Sequence, residues 1–310
     1  MPVTRGFIAV PQGNAMNENI RHLPAGAITI DVEDWFHILD TPAVPDISKW
    51  DSFESRVAQN MNRILDLFAE QGVRATFFWL GWVAERHPQL VLRCIHEGHE
   101  IASHGYGHVL AYQVGQEAFR DDIRRGKQIL EDITGYPVAG FRAAGFGITG
   151  DAAWAFNEVR AAGYRYDSSV FPGNRAHGGL PSARLEAHEI TTTSGDLVEF
   201  PASILPVMGR RLSLFGGGYL RLFPMWLIRW GITRLDRTGR PVIVYAHPRE
   251  VDPDHPRLPL GPLRRFKSYV GLKSTLPKLR NLCRELELQT LGQMADRILK
   301  EHSGGHSTRP

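Results

Sequence analysis

The sequence predicts an α/β protein: a parallel sheet of about seven strand–helix units closed into a barrel, with a β-hairpin inserted late. Three observations lead there. Apolar runs alternate with amphipathic helical stretches over most of the 310 residues, joined by short connections. Two of the runs, "VRATFFWL" and "PVIVYAH", are apolar at almost every position, like strands buried on both faces. No linker divides the chain, and this many units suits a barrel better than an open sheet.

The elements follow in order. Residues 1–25 read as an irregular lead-in, with Pro and polar residues where a signal peptide needs an unbroken apolar core. "AITIDV" is the first strand. The next stretch places Val57, Met61, Ile64, Leu65 and Phe68 on one helical face, with Gly72 as the stop. "VRATFFWL" is a strand, "PQLVLRCIHEG" a helix between Pro88 and Gly98, and "HEIAS" a short strand. "QEAFRDDIRRGKQILEDITG" is a helix with Phe119, Ile123, Leu130 and Ile133 inward and Gly135 at its end. "VAGFR" is a strand, "DAAWAFNEVRAAG" a helix and "YRYDSS" a strand.

After Phe171 the rhythm breaks. "HEITTTSGDLVEFPAS" reads as a hairpin turning at Ser194-Gly195-Asp196. A glycine-rich loop and a helix follow in "GGGYLRLFPMWLIRWGITRLDRTG". "PVIVYAH" is the late strand, "LPKLRNLCREL" a helix, "ELQTL" a short strand and "GQMADRILKEH" the last helix. One domain over 26–300 is expected, with an insertion near 172–222, a C-terminal extension from about 248 and a disordered tail at 301–310.

Composition excludes several classes. A net charge of +3 without a dense Lys/Arg block argues against nucleic acid. Basic residues thicken after Arg257, in "RLPLGPLRRFKSYVGLKSTLPKLR", and read as a solvated helix face rather than an anionic-ligand surface. Cys94 and Cys283 lie far apart in apolar helical patterns, so they read as buried small hydrophobes in a reducing compartment. No apolar run approaches the ~20 residues of a membrane span. The expectation is a cytoplasmic protein with no membrane span; a homo-oligomer is compatible with it.

In a parallel α/β fold the functional end is the C-terminal end of the strands. The strand ends carry, in order, Asp31-Glu33-Asp34, His104, Arg142, Asp167 and His247. Polar loops account for one or two such residues, and less well for two His, an Arg and the acids at one end. "SHGYGH" spaces His104 and His108 four apart, within reach of one metal ion. The same spacing recurs at His302 and His306, in a polar Gly/Ser tail with no carboxylate nearby. Only the first pair follows a strand and faces the acids.

These stretches, "TIDVEDWFH", "ATFFWLGWVAERHP", "GHEIASHGYGH", "GFRAAGFGIT", "YDSSVFP" and "VIVYAHPREVDPDHPR", resemble in order and spacing the polysaccharide deacetylases, the NodB-like carbohydrate esterases. The resemblance runs from about Ala27 to Leu291. It extends to a subgroup with an Asp-Val-Glu-Asp first motif, found with exopolysaccharide biosynthesis genes. It implies a distorted (β/α) barrel and a divalent metal, usually zinc, held by His104, His108 and one acid of the first motif. One register makes Asp31 the base and Glu33 the ligand; the other makes Glu33 the base and Asp34 the ligand. Asp31 is the preferred base, and the ligand stays open between Glu33 and Asp34.

The resemblance also implies that His247 is the general acid, that Asp167 hydrogen-bonds its imidazole, and that Arg142 pairs with the base. Bland alternatives stand beside these roles: an ordinary ion pair for Arg142, a structural His247, and a turn at Ser168-Ser169 capped by Asp167. Ala144-Gly145 replaces the Pro common after the family's Arg. Phe146, Trp79 and Trp82 are candidates for a sugar platform, with core packing the alternative for the two Trp. Trp35 and Phe36 read as rim or packing residues, and His37 as a remote third imidazole. The implied activity is removal of N-acetyl groups from an amino sugar of a polysaccharide or its precursor. Alternatives are a small amide or cyclic-amide hydrolase, and a catalytically dead sugar-binding module.

Overall fold

A computed structural model describes residues 23–44, 46–175 and 177–304, with the side chains of 302–304 left aside. The strands are β1 (Ala25–Val32), β2 (Thr76–Trp79), β3 (Glu100–Ser103), β4 (Gly140–Phe141), β5 (Tyr166–Asp167), β6 (His188–Thr192), β7 (Gly195–Glu199), β8 (Ile204–Val207), β9 (Arg210–Ser213), β10 (Val242–Ala246) and β11 (Glu287–Leu288). The helices are α1 (Val57–Gln71), α2 (Gly81–Arg86), α3 (Pro88–His96), α4 (Ala111–Thr134), α5 (Ala155–Ala161), α6 (Gly217–Leu222), α7 (Met225–Asp236), α8 (Pro262–Tyr269), α9 (Thr275–Glu285) and α10 (Leu291–Gly304). The expected lead-in lies mostly outside the described residues, and Ala25 already belongs to β1. The expected tail is helical as far as Gly304, and its remainder is outside them.

The main sheet runs β10-β1-β2-β3-β4-β5-β7-β6, with β11 on the start of β1. Every pairing is parallel except β6 with β7. Seven parallel strands from β10 to β7 therefore meet the expected α/β barrel. The seam between β7 and β10 is closed without a regular ladder. Ser203 Oγ accepts from Ile243 N (2.8 Å) and donates to Pro241 O (3.3 Å), and Tyr245 N donates to Phe215 O (3.0 Å).

Strand alternation sorts the core into two faces. Ala27, Phe78, Ala102, Tyr166, Val198 and Ile243 pack with one another and with Leu291 and Met294 of α10, which closes the N-terminal end of the barrel. Ile28, Ile30, Val32, Phe77 and Trp79 pack outward on the helix layer. There Val57, Met61, Ile64, Leu65 and Phe68 of α1 form the buried stripe that their spacing predicts. Helix α1 ends at Gly72 and α4 at Gly135, both left-handed. Cys94 and Cys283 are free and buried, and burial pushes the Cys283 thiol up to about 12. Among the described residues no helix is long and apolar enough to cross a membrane.

Two expectations need correction. Register pairs Thr192 with Gly195, so the hairpin turns at Thr193-Ser194, earlier than the expected Ser194-Gly195-Asp196. Its second strand, β7, is also a member of the barrel, because it pairs with β5. A second hairpin, β8–β9, and the short helices α2 and α8 carry no clear periodicity and were not anticipated.

Candidate metal and catalytic site

β1 ends at Val32, and the chain turns at once: Glu33 N donates to Asp31 O (2.9 Å). Asp31 keeps the strand's inward face, two residues on from Thr29. Arg142, at the end of β4, lies across the top of the barrel interior and is 1% exposed. Its Nη1 donates to Asp31 Oδ1 (2.6 Å) and Thr29 Oγ1 (2.8 Å), its Nε to Ser168 O (3.1 Å) and its Nη2 to Ser168 Oγ (3.0 Å). The guanidinium also stacks 4.1 Å from the Phe78 ring. Asp31 is thus aimed by a cation that is itself fixed from several sides.

Glu33 Oε1 lies 3.1 Å from His104 Nε2 and 3.0 Å from His108 Nε2. The loop that delivers both imidazoles explains "HGYGH". Gly105 (φ 74°) has no room for a Cβ against Asp122, whose carboxylate accepts from Tyr106 N (2.9 Å) and Gly107 N (2.7 Å). His108 itself is left-handed (φ 54°), a conformation that costs a non-glycine residue energy.

Nδ1 of His104 faces Arg142 O at 2.6 Å and must donate to it. That leaves the His104 Nε2 lone pair pointing at a carboxylate oxygen: two acceptors in contact, which either a second proton on the imidazole or a metal ion reconciles. His108 Nε2 is likewise buried with no hydrogen-bond partner. Burial opposes ionisation of Glu33, but His108, His247 and His104 outweigh it and hold the carboxyl well below its usual range. Two ligand atoms on one tetrahedral zinc would sit about 3.3 Å apart, close to the separations here. Glu33, His104 and His108 therefore fit a divalent metal, with His104 oriented from behind by a backbone carbonyl.

His247 closes the other side. Its Nε2 is 3.8 Å from both Asp31 Oδ2 and Glu33 Oε1, and its side chain, 16% exposed, is the most open of the site. Its Nδ1 is 2.9 Å from Glu250 Oε1, three residues on in the 3₁₀ turn Pro248–Val251. Behind Glu250 stands the buried Arg221 of α6, Nε to Oε2 3.8 Å. Burial opposes the charge on Glu250, yet Arg221 and His247 bring its pKa down to about 2. Burial also opposes charge on His247, but Glu33, Glu250 and Asp31 outweigh it and raise the imidazole.

Several expected residues are elsewhere. Asp34 faces away from the metal cluster, because the turn after Val32 swings it toward α1. It accepts from Trp35 N (2.8 Å), Ser55 Oγ (2.6 Å), Arg56 N (3.0 Å) and Val57 N (3.3 Å), capping a helix that has no cap of its own. Asp167 does not orient His247; Glu250 does. Asp167 turns back on Ser169 (Oγ 2.5 Å, N 3.2 Å), the bland alternative, and lies opposite Glu199 on β7. Burial pushes both carboxyls up, and the neighbouring Asp167 raises Glu199 further. Trp79 is fully buried on the outward face of β2 and offers no sugar platform. Phe146, 3% exposed, packs on Phe171 and Tyr245 and offers none either. Trp82 is also in the core. His37 accepts from Asp34 N (3.0 Å) and packs on Trp50, and it is not one of the three clustered ligand residues. Glu250 was missed, although an acid three residues after a strand-end His is a readable signal for an orienting partner.

Comparison with known proteins divides the chain. Residues 46–166 match the family model described as polysaccharide deacetylase, and 168–296 match a domain of unknown function, DUF3473. A peptidoglycan-N-acetylglucosamine deacetylase of Bacillus cereus is 36% identical over 103 residues, 33% of this chain and 46% of that protein. A chitooligosaccharide deacetylase of Sinorhizobium fredii is 41% identical over 68 residues, 22% of this chain and 29% of that protein. The chain thus spans less than half the length of these curated relatives. Two solved structures named as candidate polysaccharide deacetylases share the fold at 17% identity. The one from Mycobacterium smegmatis has a TM-score of 0.60, covering 91% of this chain and 96% of that one. The one from Pseudomonas aeruginosa PAO1 has a TM-score of 0.55, covering 78% and 73%. His104, His108 and Arg142 lie in the first matched segment, Asp31 and Glu33 just before it, and His247 and Glu250 in the second. All of these converge at one end of one sheet, and residues 46–166 carry a polysaccharide deacetylase segment followed by the DUF3473 domain.

Proposed function

We propose that the protein is a metal-dependent N-deacetylase acting on an N-acetylated amino sugar in an oligo- or polysaccharide. The observation that carries this reading is the Glu33–His104–His108 cluster adjoining two prepared proton carriers, Asp31 with Arg142 and His247 with Glu250. The names of the relatives support the substrate class: one is named for peptidoglycan N-acetylglucosamine, the other for chitooligosaccharides.

The geometry supports the following roles. Glu33, His104 and His108 would hold the ion, most simply zinc given one carboxylate and two imidazoles. When bound, it would acidify water and polarise the amide carbonyl. Asp31, oriented by Arg142, takes the proton of the attacking water. His247 stands across the site with Nδ1 committed to Glu250, so its Nε2 carries the proton toward the leaving amine. A cation at Glu33 withdraws part of that carboxylate's pull on His247 and leaves Glu250 its chief partner.

Metal content of the purified protein, measured together with acetate release from a panel of N-acetylated saccharides, tests the proposal. No metal and no acetate from any member of the panel would refute it. Asp31→Asn should abolish turnover and retain metal; loss of metal in that variant would make Asp31 a ligand instead.

A further inference from the structure

The helices around His247 carry a surface that the chemistry does not use. Residues 206–284 hold sixteen Arg and Lys against four Asp and Glu in a chain whose whole charge is +3; of the sixteen, Arg221 and Lys278 are buried and Arg229 and Arg280 pair with Glu285 and Glu70. The same segment exposes large apolar side chains on three helices: Tyr219 and Leu222 on α6, Trp226 (68%) and Trp230 on α7, Leu263 (68%) and Phe266 (53%) on α8. The helices are physically joined. Arg221 of α6 donates to Lys267 O (2.9 Å) and Ser268 O (2.8 Å) on α8, and α7 follows α6 through Pro224. Arg265, Lys267 and Lys273 make no ion pair among the described residues, and Arg234 lies over the Trp230 ring at 5.6 Å.

We infer that this face docks the protein peripherally on an anionic lipid bilayer. Exposed Trp, Tyr, Phe and Leu interleaved with Arg and Lys match the layered chemistry of a membrane interface, where aromatic rings sit at headgroup depth and cations meet lipid phosphates. A second copy of this chain is the poorer occupant, because it would bring the same cationic excess against itself. Docking would bring the site to the bilayer: Arg221 backs Glu250, and Arg264 donates to the Leu39 and Asp40 carbonyls after the acidic motif. The inference does not depend on the activity proposed above.

Co-sedimentation of the full chain with phosphatidylcholine vesicles, with and without about 30% phosphatidylglycerol, tests it. The anionic vesicles should bind the protein roughly tenfold or more tightly than the neutral ones, and high salt should weaken that binding. Trp226→Ser combined with Phe266→Ser should abolish binding at unchanged Tm, since both side chains are exposed. Failure to pellet with anionic vesicles, or binding that survives the double substitution, would overturn the inference. So would sedimentation equilibrium showing a dimer that the same double substitution dissolves, which would assign the face to a second copy.

Discussion

Replacing Asp34 by alanine should cost about 2–3 kcal/mol of stability and leave the metal in place. The carboxylate bridges the first turn of α1 and the loop after β1. Its bonds to Arg56 N and Val57 N satisfy a helix start with no side-chain cap of its own, worth about 1 kcal/mol. Trp35 N and Ser55 Oγ would lose their acceptor as well, at about 1 kcal/mol each. Burial raises this carboxyl's pKa against the pull of those donors, so the bonds deliver less than their full sum. With an unfolding entropy of about 0.6 kcal/mol/K for a chain of this size, the loss is about 3–5 °C in Tm. Calorimetry with elemental analysis of the same sample reads both quantities. The paired control is Glu33→Gln, which should lose the metal while keeping the Tm of metal-free wild type. An Asp34→Ala protein that loses its metal with an unchanged metal-free Tm would refute the assignment and restore the alternative register.

Glu250→Gln should lower kcat by about 10–100-fold and move the alkaline limb of the pH–rate profile to lower pH. His247 must be charged to donate a proton, so activity falls as pH rises through its pKa. The Glu250 carboxylate helps to hold that pKa up against burial. A Tm change with an unmoved limb would make Glu250 merely structural. Glu199→Gln tests the raised pair of carboxyls. Both Asp167 and Glu199 titrate above their unfolded values of about 4, so the folded chain binds more protons there and loses stability as pH rises through the raised values. The variant should therefore gain on wild type as pH rises above the unfolded values in thermal melts, and a parallel pair of curves would exclude the raised pair. Chelation should lower Tm by about 7 °C, or about 4 kcal/mol, at free metal a thousandfold above Kd, and zinc should restore it. A melt indifferent to chelator would leave the Glu33–His104–His108 cluster without an ion.

The barrel was legible because its strands are unbroken apolar runs, and the site because its groups sit one per strand end. Asp31, Glu33, His104, Arg142 and His247 were read from strand ends and His108 from its spacing to His104, and all six converge. Asp34 was not resolvable by the same logic. Its partners are the backbone N–H groups of Arg56 and Val57, and backbone groups leave no mark in a sequence. The resemblance assigns Asp167 to His247, whereas the partner, Glu250, sits in a 3₁₀ turn three residues past that histidine, a position strand ends do not mark. Trp79 and Phe146 show a different limit. A ring suits a sugar platform or a core equally well, and strand alternation at Phe78, which faces inward, decided it for Trp79. The cationic stretch after Arg257 is exposed at Arg265, Lys267 and Lys273, as its reading as a solvated face expects, and the apolar Leu263 and Phe266 exposed beside it left no periodic signal.

β1 has one neighbour close in sequence and one very far: Thr29 pairs with Thr76, but Ile30 pairs with Ala246. The strand that carries the acids is therefore completed late in folding. Closing so long a loop costs entropy before the pairing returns anything, which predicts slow folding and a populated intermediate. Until β10 arrives, β1 presents a bare, apolar edge, the kind of template on which unfolded chains associate. A chain cut after β9 would keep both histidines and all three acids and still expose that edge, so it should be recovered as aggregate rather than as a smaller enzyme.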